Sequence, residues 1–392
     1  MNIKWQTLET NFNGKRCMVH ARCAIRPDGF GIMTCQPLVL TGSDVFYEIW
    51  FCTTKDGGKT WSNLIPSKTL VRKCGKEELD KGYIENTQII MCDATPFYHK
   101  KTGKIILIGV IDAYFGDDSY VYEYPIPMHT AYAVWDEEKG DFTPYKLLEM
   151  PKDEEETYYA GGSASSQCLE LDNGDLLVPI EHLNKAQKSG KAGRFWSASV
   201  MHCAFDGETL TLKDVGEKMT VDVLHGLCEP SIARFNGEYY LAIRNSESGY
   251  VAKSKDGLNY TKPIQLLWEN GEHSGNYFTQ MHWIQGGGKL YLVYTRKDPS
   301  NEHVFRNRAP LFMAEFDTEK LCIIKETEKV VVPNRGARLG NFGCYSLEDE
   351  NRAFVVAAEW MQTNPPEYWD YKVCMKYGSK NDIFITEITF DK

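Results

Sequence analysis

One predicted β-hairpin carries a glutamate and an arginine that could do chemistry together. Glu229 lies near the start of a strand-like run, and Arg244 ends the next run. Asn236 and Gly237 lie between the two runs and form a sequence typical of a two-residue hairpin turn. Antiparallel pairing therefore brings Glu229 and Arg244 to the same end of the hairpin. Because both runs are otherwise apolar, these charges must pair with each other, with neighbours or with a ligand, and they are candidates for an ion-binding site.

Two further polar residues, Gln280 and His282, share one face of a predicted inner strand because they are two positions apart. Other histidines lie near the starts or ends of strand-like runs: His20, His99 and His129. A histidine that lines a channel could act as a base and remove a proton next to a carboxylate. A metal site could also use histidines, but the spacing His-Glu-x-x-His does not occur. We therefore expect no metal and no other cofactor.

The elements that would position these residues are β-strands, since strand-like runs recur along the chain and long helices are scarce. The runs fall into six groups of three or four strands. This pattern predicts an all-β fold, a six-bladed β-propeller that spans residues 1–392 as a single domain, with seven blades as the alternative. Residues 4–8 would add a strand to the last blade and close the ring. A two-sheet sandwich is the weaker alternative, because it would not explain the turn described next.

A turn with an aspartate follows the third run of five groups. The clearest copy is residues 54–61, Thr-Lys-Asp-Gly-Gly-Lys-Thr-Trp, and residues 254–260 are a looser one. Glycines there can adopt positive φ angles, and the Asp and Thr side chains can bond the turn's own amides. The aspartates of the five turns are Asp56, Asp136, Asp206, Asp256 and Asp317. We expect the turns at Asp56 and Asp256 to build the fold on its outer rim, away from any pocket.

Long insertions between the runs are predicted to be loops at the blade ends, and loops of this length in a compact protein are usually functional. Aromatic side chains in them could stack on sugar rings, or could simply pack the loops. These residues are Tyr114, Tyr120, Tyr122, Tyr124, Tyr368, Trp369 and Tyr371.

The turn at Asp56 and the hairpin of Glu229 and Arg244 together resemble the sialidase (neuraminidase) superfamily of Asp-box, or BNR, propellers. In that family a glutamate on one strand and an arginine on the next face the central cavity. The resemblance assigns the family's acid/base aspartate to Asp44, its nucleophilic tyrosine to Tyr345, and its other two arginines to Arg22 and Arg308, with Arg296 and Arg306 as competitors of Arg308.

The resemblance implies an exo-glycosidase that releases a terminal acidic sugar, such as sialic acid, with retention of configuration. The three arginines would clamp the sugar carboxylate through charge-assisted hydrogen bonds. Glu229 would take a proton from Tyr345, and Asp44 would protonate the leaving group. A tyrosine nucleophile suits an anomeric centre that bears a carboxylate, because a carboxylate nucleophile would be repelled.

Two other functions stay open. Gln280 and His282, with a tyrosine, resemble the channel residues of propeller polysaccharide lyases and rhamnosidases, which act on uronate-containing glycans. A propeller that binds carbohydrate without catalysis is the second alternative. Each of the three functions predicts a carbohydrate with a carboxylate as the ligand.

Composition excludes several classes of partner. The chain has 392 residues, of which 42% are hydrophobic, enough for a large core. Its net charge is -10 with no basic block, which argues against nucleic acid and anionic membranes as partners. No apolar run reaches the ~20 residues of a membrane span.

The N-terminus does not resemble a signal peptide, which predicts a cytoplasmic protein, or a secreted one if a leader was removed. The twelve cysteines include no Cys-x-x-Cys spacing and are expected to be free thiols.

Overall fold

The computed structural model describes residues 1–42, 44–116, 118, 126–188 and 195–391. Its regular structure is almost entirely β-strand, so the predicted all-β class is confirmed. The N-terminal strand β1 (Asn2–Leu8) precedes a first sheet, whose strands are hydrogen-bonded in sequence order. That sheet contains β2 (Arg16–Ile25), β3 (Gly31–Val39), β4 (Trp50–Thr54) and β5 (Ile65–Pro66).

Two groups of strands form one continuous sheet of twelve strands. The first group contains β6 (Lys73–Cys74), β7 (Thr87–His99), β8 (Lys104–Phe115), β9 (Met128–Asp136), β10 (Asp141–Phe142) and β11 (Lys146–Leu147). The second contains β12 (Ala160–Gly162), β13 (Leu169–Glu170), β14 (Leu176–Leu183), β15 (Phe195–Phe205), β16 (Leu210–Val215) and β17 (His225–Gly226). The short strand β12 pairs antiparallel with β14 and parallel with β9, and it thereby joins the two groups.

Three further sheets complete the described part of the chain. One contains β18 (Cys228–Phe235), β19 (Glu238–Arg244), β20 (Tyr250–Ser254) and β21 (Ile264–Gln265). The next contains β22 (His282–Gly286), β23 (Lys289–Tyr294), β24 (Leu311–Asp317), β25 (Cys322–Ile323) and β26 (Lys329–Val332). The last contains β27 (Gly343–Leu347), β28 (Arg352–Ala358) and β29 (Ile383–Thr389), and β1 pairs antiparallel with β29 at its edge.

The arrangement is propeller-like, but the predicted number of six or seven separate blades is wrong for this structure. Within the described residues there are four separate sheets of four or five strands, together with the twelve-stranded sheet. Sequence reasoning treated each group of three or four strands as a sheet of its own. It missed β12, which is only three residues long and hydrogen-bonds on both of its edges.

The first strands of the sheets pack around a common interior, which buried polar side chains such as Arg22 and His282 occupy and which we call the channel. β2 packs against β7 and β27, and β22 packs against β27 and β18. Residues 165–167 complete the ring, because Ser165 N donates to Asp93 O at 2.9 Å and Ile232 N donates to Gln167 O at 3.1 Å. We call the end of the channel at Glu229, where β18 begins, the strand-start mouth, and the end at Ile25 and Tyr345 the strand-end mouth.

Buried aromatic and aliphatic side chains fill the space between neighbouring sheets. The rings of Phe51 on β4 and Trp135 on β9, for example, meet edge to face with centroids 5.2 Å apart. The helices of the described residues are short: α1 (Lys185–Lys188), α2 (Tyr371–Lys376) and five 3-10 turns at Gly75–Lys81, Pro299–Asn301, Phe305–Asn307, Lys325–Thr327 and Glu348–Glu350. Across the described ranges, no helix has the length and apolar character needed to span a membrane.

The aspartate turns are held by their own side chains. Asp56 accepts hydrogen bonds from the Thr54 hydroxyl at 2.8 Å and from the Thr60 amide at 2.9 Å, and hydrogen bonds led by that of the Thr60 hydroxyl lower the pKa of Asp56 to about 2. Asp256 accepts from the Ser254 hydroxyl at 2.9 Å and from the Asn259 amide at 2.8 Å. Both turns follow the third strand of their sheets, at the side of the strand-end mouth.

Candidate functional site

Glu229 and Arg244 form an ion pair at the strand-start mouth. Arg244 Nη1 donates to Glu229 Oε2 at 2.8 Å, and the two side chains are 20% and 9% exposed. Glu229 has a φ of +46°, and the pairing register between β18 and β19 shifts between Cys228 and Ser231. Pro230 lies in this irregular stretch and has no N–H to donate to the ladder. The bulge turns the Glu229 carboxylate toward Arg244.

A second carboxyl group, that of Glu181, lies directly beside Glu229. The Glu229 amide donates to Glu181 Oε2 at 2.8 Å, and Glu181 is 7% exposed. Burial, followed by the negative charge of Glu229, raises the pKa of Glu181 to about 8. Sequence reasoning missed this residue, although one signal pointed to it: a charged residue inside the apolar run Leu176–Leu183.

Arg308 is a buried cation at the same mouth. It follows the 3-10 turn Phe305–Asn307 and is 5% exposed. Burial, followed by the positive charges of Arg244 and Arg338, lowers the pKa of Arg308 well below its usual value. Over the ranges that the structure describes, its guanidinium has neither a hydrogen bond nor an ion pair, so the buried charge lacks a partner that an anionic ligand could provide.

Arg338 is a further arginine that sequence reasoning missed. It is buried, and its guanidinium carbon lies 3.4 Å from the ring centroid of Trp360. Arg338 Nη2 donates to Gln362 Oε1 at 2.6 Å, whereas Nε has no hydrogen-bond partner in the described structure. Burial lowers the pKa of Arg338 to about 9, against the opposing effect of the Asp44 charge. Arg244, Arg308 and Arg338 therefore make the strand-start mouth a cluster of cations.

Asp44 lies on the loop between β3 and β4, which opens on the strand-start mouth. The residue has a φ of +60°, and its carbonyl accepts a hydrogen bond from the Tyr114 hydroxyl at 2.6 Å. Gln362 holds the same loop, because its Nε2 donates to the carbonyls of Leu40 at 2.9 Å and Gly42 at 3.0 Å. Gln362 thus links the Asp44 loop to the guanidinium of Arg338.

Arg22 is held inside the channel by hydrogen bonds to the protein itself. It is fully buried, and its guanidinium donates to Phe342 O at 3.2 Å, Ala94 O at 3.1 Å and Ser165 Oγ at 2.5 Å. Its Nη2 also lies 3.6 Å from the carboxylate of Asp93. These contacts tie β2 to three other segments around the channel, and the binding of substrate by Arg22 stays a prediction.

Gln280 and His282 are likewise buried in the protein's own hydrogen-bond network. Gln280 donates to Phe342 O at 3.2 Å and accepts from the Asn341 amide at 3.0 Å. His282 Nε2 contacts Phe342 O at 3.0 Å and Nδ1 contacts Ser231 Oγ at 2.9 Å. Because a carbonyl oxygen only accepts, Nε2 carries the proton and Nδ1 accepts from the serine. Both ring nitrogens are engaged within the protein, and contacts of Gln280 and His282 with substrate stay a prediction.

Tyr345 belongs to the opposite mouth. Its hydroxyl donates to Ile25 O at 2.7 Å, and burial raises its pKa. It lines a cavity of about 730 Å³ at the strand-end mouth, together with Ile232 and Ala233 of the strand that begins near Glu229. At ~3.3 Å per residue, that cavity lies roughly 10 Å along the channel from Glu229. Tyr345 and Glu229 are therefore not neighbours, contrary to the expected pairing of nucleophile and base.

Arg296, a competitor of Arg308, has a structural position, whereas the loop aromatic residues Tyr368 and Trp369 lie at the strand-start mouth. Arg296 is committed to ion pairs with Glu328 at 2.6 Å and Asp298 at 3.1 Å. Trp369 is 43% exposed, and the adjacent Tyr368 hydroxyl donates to Thr41 O at 2.7 Å, next to the Asp44 loop. The predicted aromatic residues Tyr120, Tyr122 and Tyr124 lie outside the described residues. In the described ranges, no three His, Cys, Asp or Glu residues are grouped so as to hold a metal ion.

Comparisons with known proteins support the fold. No protein-family model matches the chain, and no curated protein matches it by sequence. A protein of unknown function from Dyadobacter fermentans is similar over 99% of both chains, with a TM-score of 0.66 and 15% identity. A variant of the sialidase NanB from Streptococcus pneumoniae matches 97% of this chain and 70% of its own, with a TM-score of 0.62 and 11% identity.

The Trypanosoma rangeli sialidase, solved in complex with sialic acid, matches 97% of this chain with a TM-score of 0.60 and 11% identity. This chain spans 58% of that sialidase's length. At such identities the similarity concerns the fold, and the chain has a sialidase-like, propeller-like all-β fold.

Proposed function

We propose that this protein is an exo-acting glycoside hydrolase that removes a terminal acidic sugar, sialic acid or a relative of it, from a glycan. The observation that carries the proposal is the buried guanidinium of Arg308, which is 5% exposed and has no ion-pair or hydrogen-bond partner in the described ranges, although the Glu229 charge acts on it from a distance. An isolated buried charge costs several kcal/mol. The carboxylate of an acidic sugar would supply the missing partner. One solved sialidase of similar fold is in complex with sialic acid, an acidic sugar, which adds support.

The proposed roles follow from the composition of the strand-start mouth. Arg308 binds the sugar carboxylate, assisted by the neighbouring charges of Arg244 and Arg338. Asp44 donates a proton to the glycosidic oxygen while the bond to the anomeric carbon breaks. A water molecule bonds to that carbon, and Glu229 takes the water's proton. The proton returns to Asp44 through solvent, and Tyr345 has no part in the step.

The experiment compares the wild type with Arg308→Met on a fluorogenic sialoside, with release of free sialic acid as the readout. We expect kcat/KM to fall at least ~100-fold in the variant, as when a charge-stabilising contact is removed. The variant should melt at the same temperature as the wild type or higher, because a buried unpaired charge has been removed. Arg234→Met is the matched control, since Arg234 pairs with the exposed Asp172 on the surface and should leave both readouts unchanged.

Full activity in Arg308→Met, or a wild type that neither binds nor releases any acidic sugar, would contradict the proposal. The methyl ester of the sugar is a matched ligand, since it lacks the negative charge. The wild type should bind the methyl ester more weakly than the free acid. Arg308→Met should bind the ester and the acid equally weakly.

A carbohydrate-binding propeller without catalysis is the second candidate. The position of Tyr345 favours it, because the hydroxyl of this tyrosine contacts Ile25 O at the strand-end mouth and does not lie beside Glu229. Calorimetric binding of sialic acid without release from any sialoside would support this candidate. A lyase would use His282 as its base, and both nitrogens of that ring are engaged within the protein.

A further inference from the structure

The carboxyl group of Glu181 lies against the backbone amide of Glu229 at the strand-start mouth, within reach of the Glu229 charge. They lie near the end of β14 and the start of β18, which pack against each other. The Glu229 amide donates to Glu181 Oε2 at 2.8 Å, and the Glu229 carboxylate is paired with Arg244 at 2.8 Å. Both carboxyl groups are buried, with residue exposures of 7% for Glu181 and 6% for Glu229.

The charges that face Glu181 are mostly negative. They are the carboxylates of Glu229 and Asp93, opposed by the guanidinium of Arg244, and the thiol of Cys228 lies close by. Arg244 is already engaged by Glu229. A second ionised carboxyl group here would therefore stand without a counter-ion, and it would repel an anion bound at the neighbouring arginines.

We propose that the Glu181–Glu229 pair holds one proton, that Glu181 carries it, and that Glu181 is thereby a positioning residue that keeps the mouth receptive to an acidic sugar. The importance of this role for catalysis rests on the proposed function. Glu181 keeps Glu229 in its left-handed backbone conformation through the amide contact, and in its neutral form it adds no negative charge beside the arginines. In agreement, burial and the Glu229 charge raise the pKa of Glu181 to about 8.

The first experiment needs no ligand. The difference infrared spectrum of the wild type on either side of pH 8 should show the C=O band of a buried protonated carboxyl group, present at the lower pH and lost at the higher. Glu181→Gln, which keeps an oxygen that can accept from the Glu229 amide, should lack this band. Glu315→Gln, which alters a surface pair with Lys289, is the matched control and should retain it.

Absence of the band in the wild type at neutral pH, or its persistence in Glu181→Gln, would overturn the proposal. A second variant, Glu229→Gln, tests the same proposal if Glu181→Gln does not fold. Removing the Glu229 charge should move the loss of the band to lower pH, and an unchanged titration would contradict the shared proton.

The second experiment measures the affinity for sialic acid as a function of pH. Above about pH 8, the dissociation constant of the wild type should rise by up to about tenfold per pH unit if only the protonated pair binds. Glu181→Gln should show no such rise, whereas a structural role alone would lower affinity equally at every pH. If no sialic acid binds at all, the proposed function fails, and the infrared result still decides whether the pair shares a proton.

Discussion

Arg244 binds Glu229 across a shifted strand ladder. Its Nη1 lies 2.8 Å from Glu229 Oε2, although the residue opposite Arg244 in the pairing of β18 and β19 is Cys228. A regular ladder would send the side chains of residues 228 and 229 to opposite faces. The bulge and the positive φ of Glu229 instead direct its carboxylate to the arginine at the channel, and this local irregularity creates the ion pair of the site.

Breaking this ion pair should destabilise the fold. Arg244→Met leaves the Glu229 carboxylate buried without its cation, and we expect the free energy of unfolding to fall by about 3 kcal/mol. The double variant Arg244→Met with Glu229→Gln should recover part of that loss, because no charge is then stranded. Chemical denaturation checks both values. A single variant as stable as the wild type would show that solvent already screens the pair.

Tyr345→Phe separates the proposed water mechanism from the family's covalent one. The change removes one hydrogen bond to Ile25 O and should lower the free energy of unfolding by about 1 kcal/mol. Its kcat/KM on a sialoside should stay within about twofold of the wild type, since Tyr345 is at the mouth opposite to Glu229. A fall of ~100-fold or more would restore Tyr345 as the nucleophile.

Acid should destabilise the protein through its buried histidines. Burial lowers the pKa of His282 to about 3, below the ordinary 6.5, so the folded state keeps this ring neutral while the unfolded chain takes up a proton. The stability is therefore fully present above pH 6.5 and is lost as the pH falls toward 3. His282→Gln should reduce the slope of unfolding free energy against pH by about 1.4 kcal/mol per unit. The exposed His273→Gln is the control, and an equal slope in both variants would contradict this assignment.

Gly343→Ala tests how closely the last sheet approaches Arg22. A Cβ on Gly343 would lie 2.6 Å from Arg22 Cγ, too close for contact without movement. Because Arg22 holds three other segments of the channel, we expect a loss of about 1–3 kcal/mol in unfolding free energy, measured by denaturation. Gly116→Ala, where no described residue lies within 4 Å of the added carbon, should be close to neutral. Equal stability of the two variants would show that Arg22 can move aside.

Local features of this protein were readable from its sequence. The all-β class follows from recurring strand-like runs. The aspartate turns form because Asp56 and Asp256 bond groups no more than four residues away. The meeting of Glu229 with Arg244 also needs only one hairpin. Such contacts form within a short stretch of chain, so residue types and their spacing are sufficient to predict them.

Tertiary structure decided the position of each side chain along the channel and the residues that surround it. Tyr345 bonds the carbonyl of Ile25, 320 positions away, and Arg22 meets Phe342 across the same separation. Glu181 and Arg338 reach the site from parts of the chain that showed no motif. The position of a side chain along the channel depends on the stagger between sheets, which long-range packing sets. For this reason the sequence indicated Glu229, Arg244 and Arg308, while the structure alone added Glu181 and Arg338 to them and placed Tyr345 at the opposite mouth.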